Sequence, residues 1–168
     1  SLFRGISPDD LCELLLQLSP TVQRYPAGDI ILLSGQENAS IRIVLEGSIT
    51  ASKISPGGQT VTMAHMQPGG IFGDVLSGSS TPSPVTVTAA APCTVLALPY
   101  ERLMLPGCSD AAHCVLLRNL VETISDKYFS LCRRVDLLIL KSLRAKLCAW
   151  LLEQHHRAGC AMFSTPLT

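Results

Sequence analysis

The chain has no excess of charge of either sign. Its 13 basic residues balance 13 acidic ones, and charged residues make up only 15% of the 168. A near-zero net charge leaves no global field to attract nucleic acid or an acidic membrane surface. Long apolar runs are missing too. None reaches the ~18 residues that span a bilayer, and the chain opens without a secretory signal pattern, so a cytoplasmic protein is expected. The seven cysteines (Cys12, Cys93, Cys108, Cys114, Cys132, Cys148 and Cys160) form no CxxC pair and no short cluster. A disulfide framework, a zinc site and an iron–sulfur site are therefore not expected, and free structural thiols are. No lysine or arginine occurs between Ile54 and Glu101, nearly a third of the chain.

What is present changes character along the sequence. Ser7-Pro8-Asp9-Asp10 has the form of an N-cap, a proline at the first helical position and two acids suited to a helix N-terminus; Leu11, Leu14, Leu15 and Leu18 follow at helical spacing. From Thr21 to Pro99 short β-branched runs alternate with turn residues, as in Pro26-Ala27-Gly28-Asp29 and Pro68-Gly69-Gly70. Period-2 patterns in Ile41, Ile43 and Leu45, in Val61, Met63 and His65, and in Val85, Val87 and Ala89 predict half-buried strands. An antiparallel jelly-roll barrel is the expected architecture.

Beyond Tyr100 the pattern is helical. From about Ser109 one long helix carries Cys114, Leu117, Val121, Ile124, Tyr128, Leu131, Val135 and Leu138, at spacings of 3, 4, 3, 4, 3, 4 and 3. Such a repeat keeps one apolar seam aligned with a partner helix, which predicts a parallel homodimer. Leu116 and Leu120, off the seam, are expected to pack on the helix's own domain. A further helix is expected from Ser142 to about Arg157, ended by Gly159. The fold class is thus mainly β plus α: a jelly-roll (double-stranded β-helix) barrel with a short N-terminal helix, a long dimerisation helix and one helix after it.

This order, with the motifs YPAGDIILLSG, IVLEGSI, PGGIFGDVLSG and SLRAKLCAWLLEQ, resembles the Crp–Fnr family of bacterial transcription regulators along the whole chain. The resemblance implies an effector domain at 1–106, a dimerisation helix at 107–140 and the start of a DNA-binding region at 141–168. Pro166 to Thr168 resembles the segment that leads into a helix-turn-helix, and DNA contact is expected through that module rather than through this chain. The resemblance also implies an effector cassette in Gly69 to Val87. In relatives that bind cyclic nucleotides, an FGE turn is followed by an arginine and a serine that hold the phosphate. Here Gly73 and Asp74 match the turn, while Ser83 stands where the arginine is expected and Pro84 where the serine is. Proline offers neither a hydroxyl nor an amide hydrogen. Leu131 and Cys132 stand where hydroxyl residues face the base in such relatives.

A charge-assisted hydrogen bond contributes about 1.5–3 kcal/mol, so loss of two or more weakens a cyclic nucleotide roughly 100-fold or further. The expected effector is therefore a small, largely apolar molecule with at most one weakly anionic group. The candidate contacts are Phe72, Gly73, Asp74, Val75, Leu76, Ser83, Pro84, Val85 and Thr86 from the barrel, with Thr123, Lys127 and Tyr128 from the helix; Lys127, one position before the seam, is the nearest plausible cation for the effector. A cyclic-AMP-type regulator and a stand-alone sensor or dimerisation module remain the alternatives. No cofactor, metal or catalytic residue is expected. His65 has no second histidine at HxH spacing, His113 stands alone, and adjacent His155 and His156 point about 100° apart on a helix. An axial haem ligand near the cassette would fall where Ser77 and Gly78 stand.

Overall fold

The computed structural model describes residues 2–73, 82–104, 111–160 and 162. Helix α1 (Pro8–Leu18) starts as the sequence predicts: the Ser7 side chain accepts a hydrogen bond from the Asp10 amide and donates one to its carboxylate. Leu14 and Leu18 are buried, and Ser19 closes the helix in a left-handed conformation.

Eight strands follow: β1 (Thr21–Tyr25), β2 (Ile30–Leu32), β3 (Ser40–Glu46), β4 (Ile49–Ile54), β5 (Thr60–Met66), β6 (Ile71–Gly73), β7 (Thr86–Ala89) and β8 (Cys93–Pro99). They form two antiparallel four-stranded sheets, in the orders β1-β8-β3-β6 and β2-β7-β4-β5. That pairing is the expected jelly roll. Its interior is a cluster containing Ile31, Leu32, Val44, Ile49, Ala51, Phe72, Val87, Ala89, Cys93 and Val95. Burial pushes the Cys93 thiol above its ordinary pKa, which suits an inert core cysteine. Among the described residues, Cys12, Cys93, Cys114, Cys132, Cys148 and Cys160 are free thiols.

The strand patterns hold for β7 and only in part for β3, where Leu45 is exposed, and they fail for β5. Ile41 and Ile43 are buried, as are Val87 and Ala89. On β5 the predicted inward set, Val61, Met63 and His65, is exposed, while Ala64 and Met66 pack against the core. The cause is local: β5 pairs on one side only, with β4, and the register shifts between Ala51 and Ser52. An edge strand can carry apolar residues on its solvent face without losing its pairing.

A short helix, α2 (Tyr100–Leu103), leads from β8 toward the long α3 (Ala111–Ile139), and α4 (Leu143–Ala158) follows. Ser142 caps α4 by accepting from the Ala145 amide, and Gly159 ends it with φ +66°. The chain forms two compact units, Ser1–Val121 and Glu122–Thr168, so the first turns of α3 belong to the first unit and the rest to the second. In the first unit Leu116 and Leu120 are buried, as expected. His113 is buried with Nε2 2.9 Å from the Leu103 carbonyl, and Asn119 Nδ2 donates to the Leu2 and Arg4 carbonyls, each at 2.8 Å. In the second unit, Arg133 on α3 pairs with Glu153 on α4 at 3.3 Å. No helix among the described residues is long and apolar enough to cross a membrane.

Asn119 therefore ties the N-terminal segment to α3, with both carbonyls relying on one buried amide. Asn119→Ala is expected to destabilise the fold by about 1–3 kcal/mol, measured by urea unfolding. A variant as stable as the parent would show that the N-terminal segment is not held there.

Candidate functional site

The cassette is anchored by strands at both ends. At its start, Phe72 on β6 is 3% exposed and faces the barrel interior. Gly73 pairs with Ile41 of β3 and has φ +92°. A Cβ added there would lie 2.7 Å from the Ser40 carbonyl oxygen and 2.9 Å from Asn38 Nδ2, so both conformation and space require glycine. Asp74, Val75 and Leu76, like Ser77 and Gly78, lie outside the described residues.

At the far end Ser83 is 3% exposed. Its amide donates to the Gln36 carbonyl at 3.1 Å, its carbonyl accepts from the Gly35 amide at 2.8 Å and the Ser34 hydroxyl at 3.3 Å, and its own hydroxyl donates to the Val85 carbonyl at 3.1 Å. Pro84 is exposed, Val85 packs against the barrel core, and Thr86 Oγ1 accepts from the Ser34 amide at 3.2 Å. The position matched to the phosphate-binding arginine is thus a buried serine whose only O–H is already donated within the fold. Its neighbour has no donor at all.

The chain between β2 and β3 holds these two ends. Ser34, Gly35 and Gln36 bond to Ser83 or Thr86, and Asn38 lies against Gly73. Asn38 Nδ2 donates to the Ser40 carbonyl at 2.7 Å, and its Oδ1 accepts from Arg42 Nη1. Arg42 lies upstream of the lysine- and arginine-free stretch, and sequence reasoning overlooked it. Across the ladder it is opposite Phe72 of β6 and Ala97 of β8, and it shares the strand face of core residue Val44. The residue is half-buried, with Nε closed off from solvent. The available signal was parity: in IRIV, Arg42 falls in phase with Val44.

The helix candidates Thr123, Lys127 and Tyr128 all lie on α3 in the second unit. Thr123 is half-buried, and Lys127 and Tyr128 are exposed. Burial of the Lys127 ammonium lowers its pKa, although the residue as a whole keeps substantial exposure, so solvent screening limits the effect. A side-chain hydrogen bond with Cys132 raises the Tyr128 hydroxyl above the ordinary phenol value. Along the predicted seam Val121, Tyr128, Leu131, Val135 and Leu138 are exposed, from 45% at Val135 to 71% at Leu138. Cys114 is exposed, and Leu117 and Ile124 are half-buried. Among the described residues no group of three or more His, Cys, Asp or Glu is placed to hold a metal.

Residues 22–104 match the family model for the cyclic nucleotide-binding domain. A cyclic nucleotide-binding domain from Methylobacillus flagellatus KT superposes with a TM-score of 0.71 at 19% identity, covering 85% of this chain and 80% of that one. The catabolite activator protein of Thermus thermophilus superposes with a TM-score of 0.68 at 23% identity, covering 82% of this chain and 62% of that one. In sequence, the rice (Oryza sativa subsp. japonica) potassium channel KOR2 is 30% identical over 102 residues, which is 61% of this chain and 14% of the channel.

The close approach at Gly73 makes a direct test. Gly73→Ala adds a Cβ that meets a carbonyl oxygen and an amide nitrogen at a left-handed position; the expected cost is about 1–3 kcal/mol in thermal or urea unfolding. Unchanged stability would mean that the cassette start is not pinned to β3.

Proposed function

Residues 22–104 are a domain of the cyclic nucleotide-binding family, and from that premise we propose that the chain is the effector-sensing and dimerisation portion of a Crp–Fnr-like transcription regulator. Its effector is a small molecule other than a cyclic nucleotide, and its role is binding rather than catalysis. One observation carries the choice of effector: at Ser83-Pro84 the hydroxyl donor is committed to the Val85 carbonyl and the next residue has no N–H. A cyclic phosphate placed there would lose water without receiving charge-assisted bonds in exchange. In this reading a mostly apolar acid is contacted by the barrel set that includes Phe72, Gly73 and Thr86. DNA contact belongs to a helix-turn-helix outside this sequence, and the protein works in the cytoplasm.

Calorimetry with cyclic AMP and cyclic GMP is expected to show no submicromolar binding, and such binding would overturn the choice of effector. An aromatic or aliphatic monocarboxylic acid is expected to raise Tm, and the absence of a rise with any such acid would overturn the apolar-acid reading.

The apolar stripe on α3 supports a parallel homodimer. Five side chains of the predicted seam are exposed in the single chain, and burying a large apolar side chain contributes about 1.5–3 kcal/mol. The double substitution Val121→Glu with Leu131→Glu is expected to convert the dimer to monomer in sedimentation, because a symmetric interface would bury like charges in both copies. A persistent dimer would place the interface elsewhere.

A further inference from the structure

We propose that a cleft where β1 and β3 end and β8 begins is a second binding site, one that takes a free zwitterionic amino acid with a flat apolar side chain. Arg24 holds the carboxylate and Glu46 the ammonium. The site shares no residue with the candidate effector contacts, so it stands or falls independently of the effector reading.

Three observations carry it. The first is the cleft itself, a cavity of about 350 Å³ among Arg24, Tyr25, Pro26, Glu46, Pro92 and Thr94, with buried Cys93 also in its wall. That volume is at the low end of the roughly 300–1,000 Å³ of small-molecule sites and suits a molecule of amino-acid size. Its walls are fixed. Tyr25 packs partly against the barrel core, and a Cβ on Gly47, next to Glu46, would meet the Pro92 carbonyl oxygen and Cys93 Cα.

The second is the placement of charge. Thr94 pairs with Arg24 of β1 on one side and with Glu46 of β3 on the other, so the three form a row across the sheet. Cys93 and Val95 belong to the core, and Thr94 between them takes the opposite face. Glu46 is in phase with core residue Val44 and would face inward if β3 ran regularly. The register shift between Val44 and Glu46 sets it opposite Thr94 instead, as a bulge that re-aims a side chain does. Neighbouring strands lie about 4.8 Å apart, so the Arg24 and Glu46 Cα atoms stand roughly 10 Å apart and their side chains can close on one small ligand.

The third is the state of the two charges. The Thr94 hydroxyl donates to Glu46 Oε2 at 3.1 Å, which holds the carboxylate and leaves Oε1 without a hydrogen bond among the described residues. Arg24 is exposed, and among the described residues its guanidinium makes no hydrogen bond or ion pair. A lone anion would satisfy Arg24 and be repelled by Glu46, and a lone cation the reverse. A zwitterion meets both, its carboxylate on the guanidinium fork and its ammonium on Oε1. Tyr25 and the two prolines offer the apolar wall for its side chain. The cassette is elsewhere: Glu46 lies five residues beyond Ile41, the partner of Gly73, roughly 16 Å at the rise of a strand.

Binding of phenylalanine and of phenethylamine, which lacks the carboxylate, to the 168-residue chain would be measured by calorimetry for the parent, Arg24→Gln and Glu46→Gln. Both residues are exposed, so both variants are expected to fold, with circular dichroism as the control. Phenylalanine is expected to bind the parent, and to bind each variant about 10-fold more weakly, the size of one lost charge-assisted bond. Phenethylamine is expected to bind the parent more weakly than phenylalanine by a similar factor. Phenylalanine affinity within twofold of the parent in both variants overturns the site. Loss in Arg24→Gln with Glu46→Gln unchanged overturns the zwitterion assignment, as does phenethylamine bound as tightly as phenylalanine. A parent that binds no phenylalanine at millimolar concentration overturns the proposal and leaves the effector reading untouched.

Discussion

The segment between β2 and β3 is the constraint on which the site depends. Ser34, Gly35 and Gln36 fasten Ser83 and Thr86, and Asn38 closes on Gly73 four residues before Arg42. Both ends of the cassette are thereby tied to one short stretch of chain. Two of these bonds, from the Gly35 amide to the Ser83 carbonyl and from the Ser83 amide to the Gln36 carbonyl, join backbone groups and are largely independent of side-chain identity. Such a frame can keep its geometry while the side chains that select a ligand change.

Much of the fold was legible because the elements with the clearest chemistry are local. The Ser7-Pro8 start of α1, the Ser142 cap and the Gly159 stop of α4 depend on residues within one or two turns of each other. The division of α3 into buried Leu116 and Leu120 and exposed Val121 and Leu131 also followed from period alone. The β5 face was not legible, because Val61, Met63 and His65 alternate as well as a buried set does. Its orientation is decided by the register shift with β4, a tertiary fact. Arg42 escaped for a related reason. An arginine in a β-branched run reads as a solvent-facing residue until pairing with Phe72 and Ala97 shows which face it occupies. In the cassette itself, the Ser83-Pro84 departure was visible in the sequence, whereas the internal use of the Ser83 hydroxyl was not.

The two parts of α3 are under different demands. Its first turns carry buried polar anchors, His113 and Asn119, which bond to Leu103, Leu2 and Arg4 within the first unit. Beyond Val121 the helix carries an exposed apolar line broken by charged residues. The first part is specified by directional hydrogen bonds and resists sliding. The second is specified by non-directional burial and has affinity for whatever apolar surface is offered. A helix built this way is fixed within the first unit at one end, while its other end keeps an apolar line open to solvent.

Charge placement then bears on how selectivity arises. A cyclic phosphate spreads its charge over oxygens in a tetrahedral arrangement and is best held by several donors converging from different directions. At Ser83-Pro84 the hydroxyl faces inward to the Val85 carbonyl and the proline offers no N–H, so that side contributes shape without donors. A cyclic phosphate placed there would leave oxygens facing a serine and a proline that give it no hydrogen bond. Discrimination would come as much from the oxygens left unsatisfied as from those that are bound.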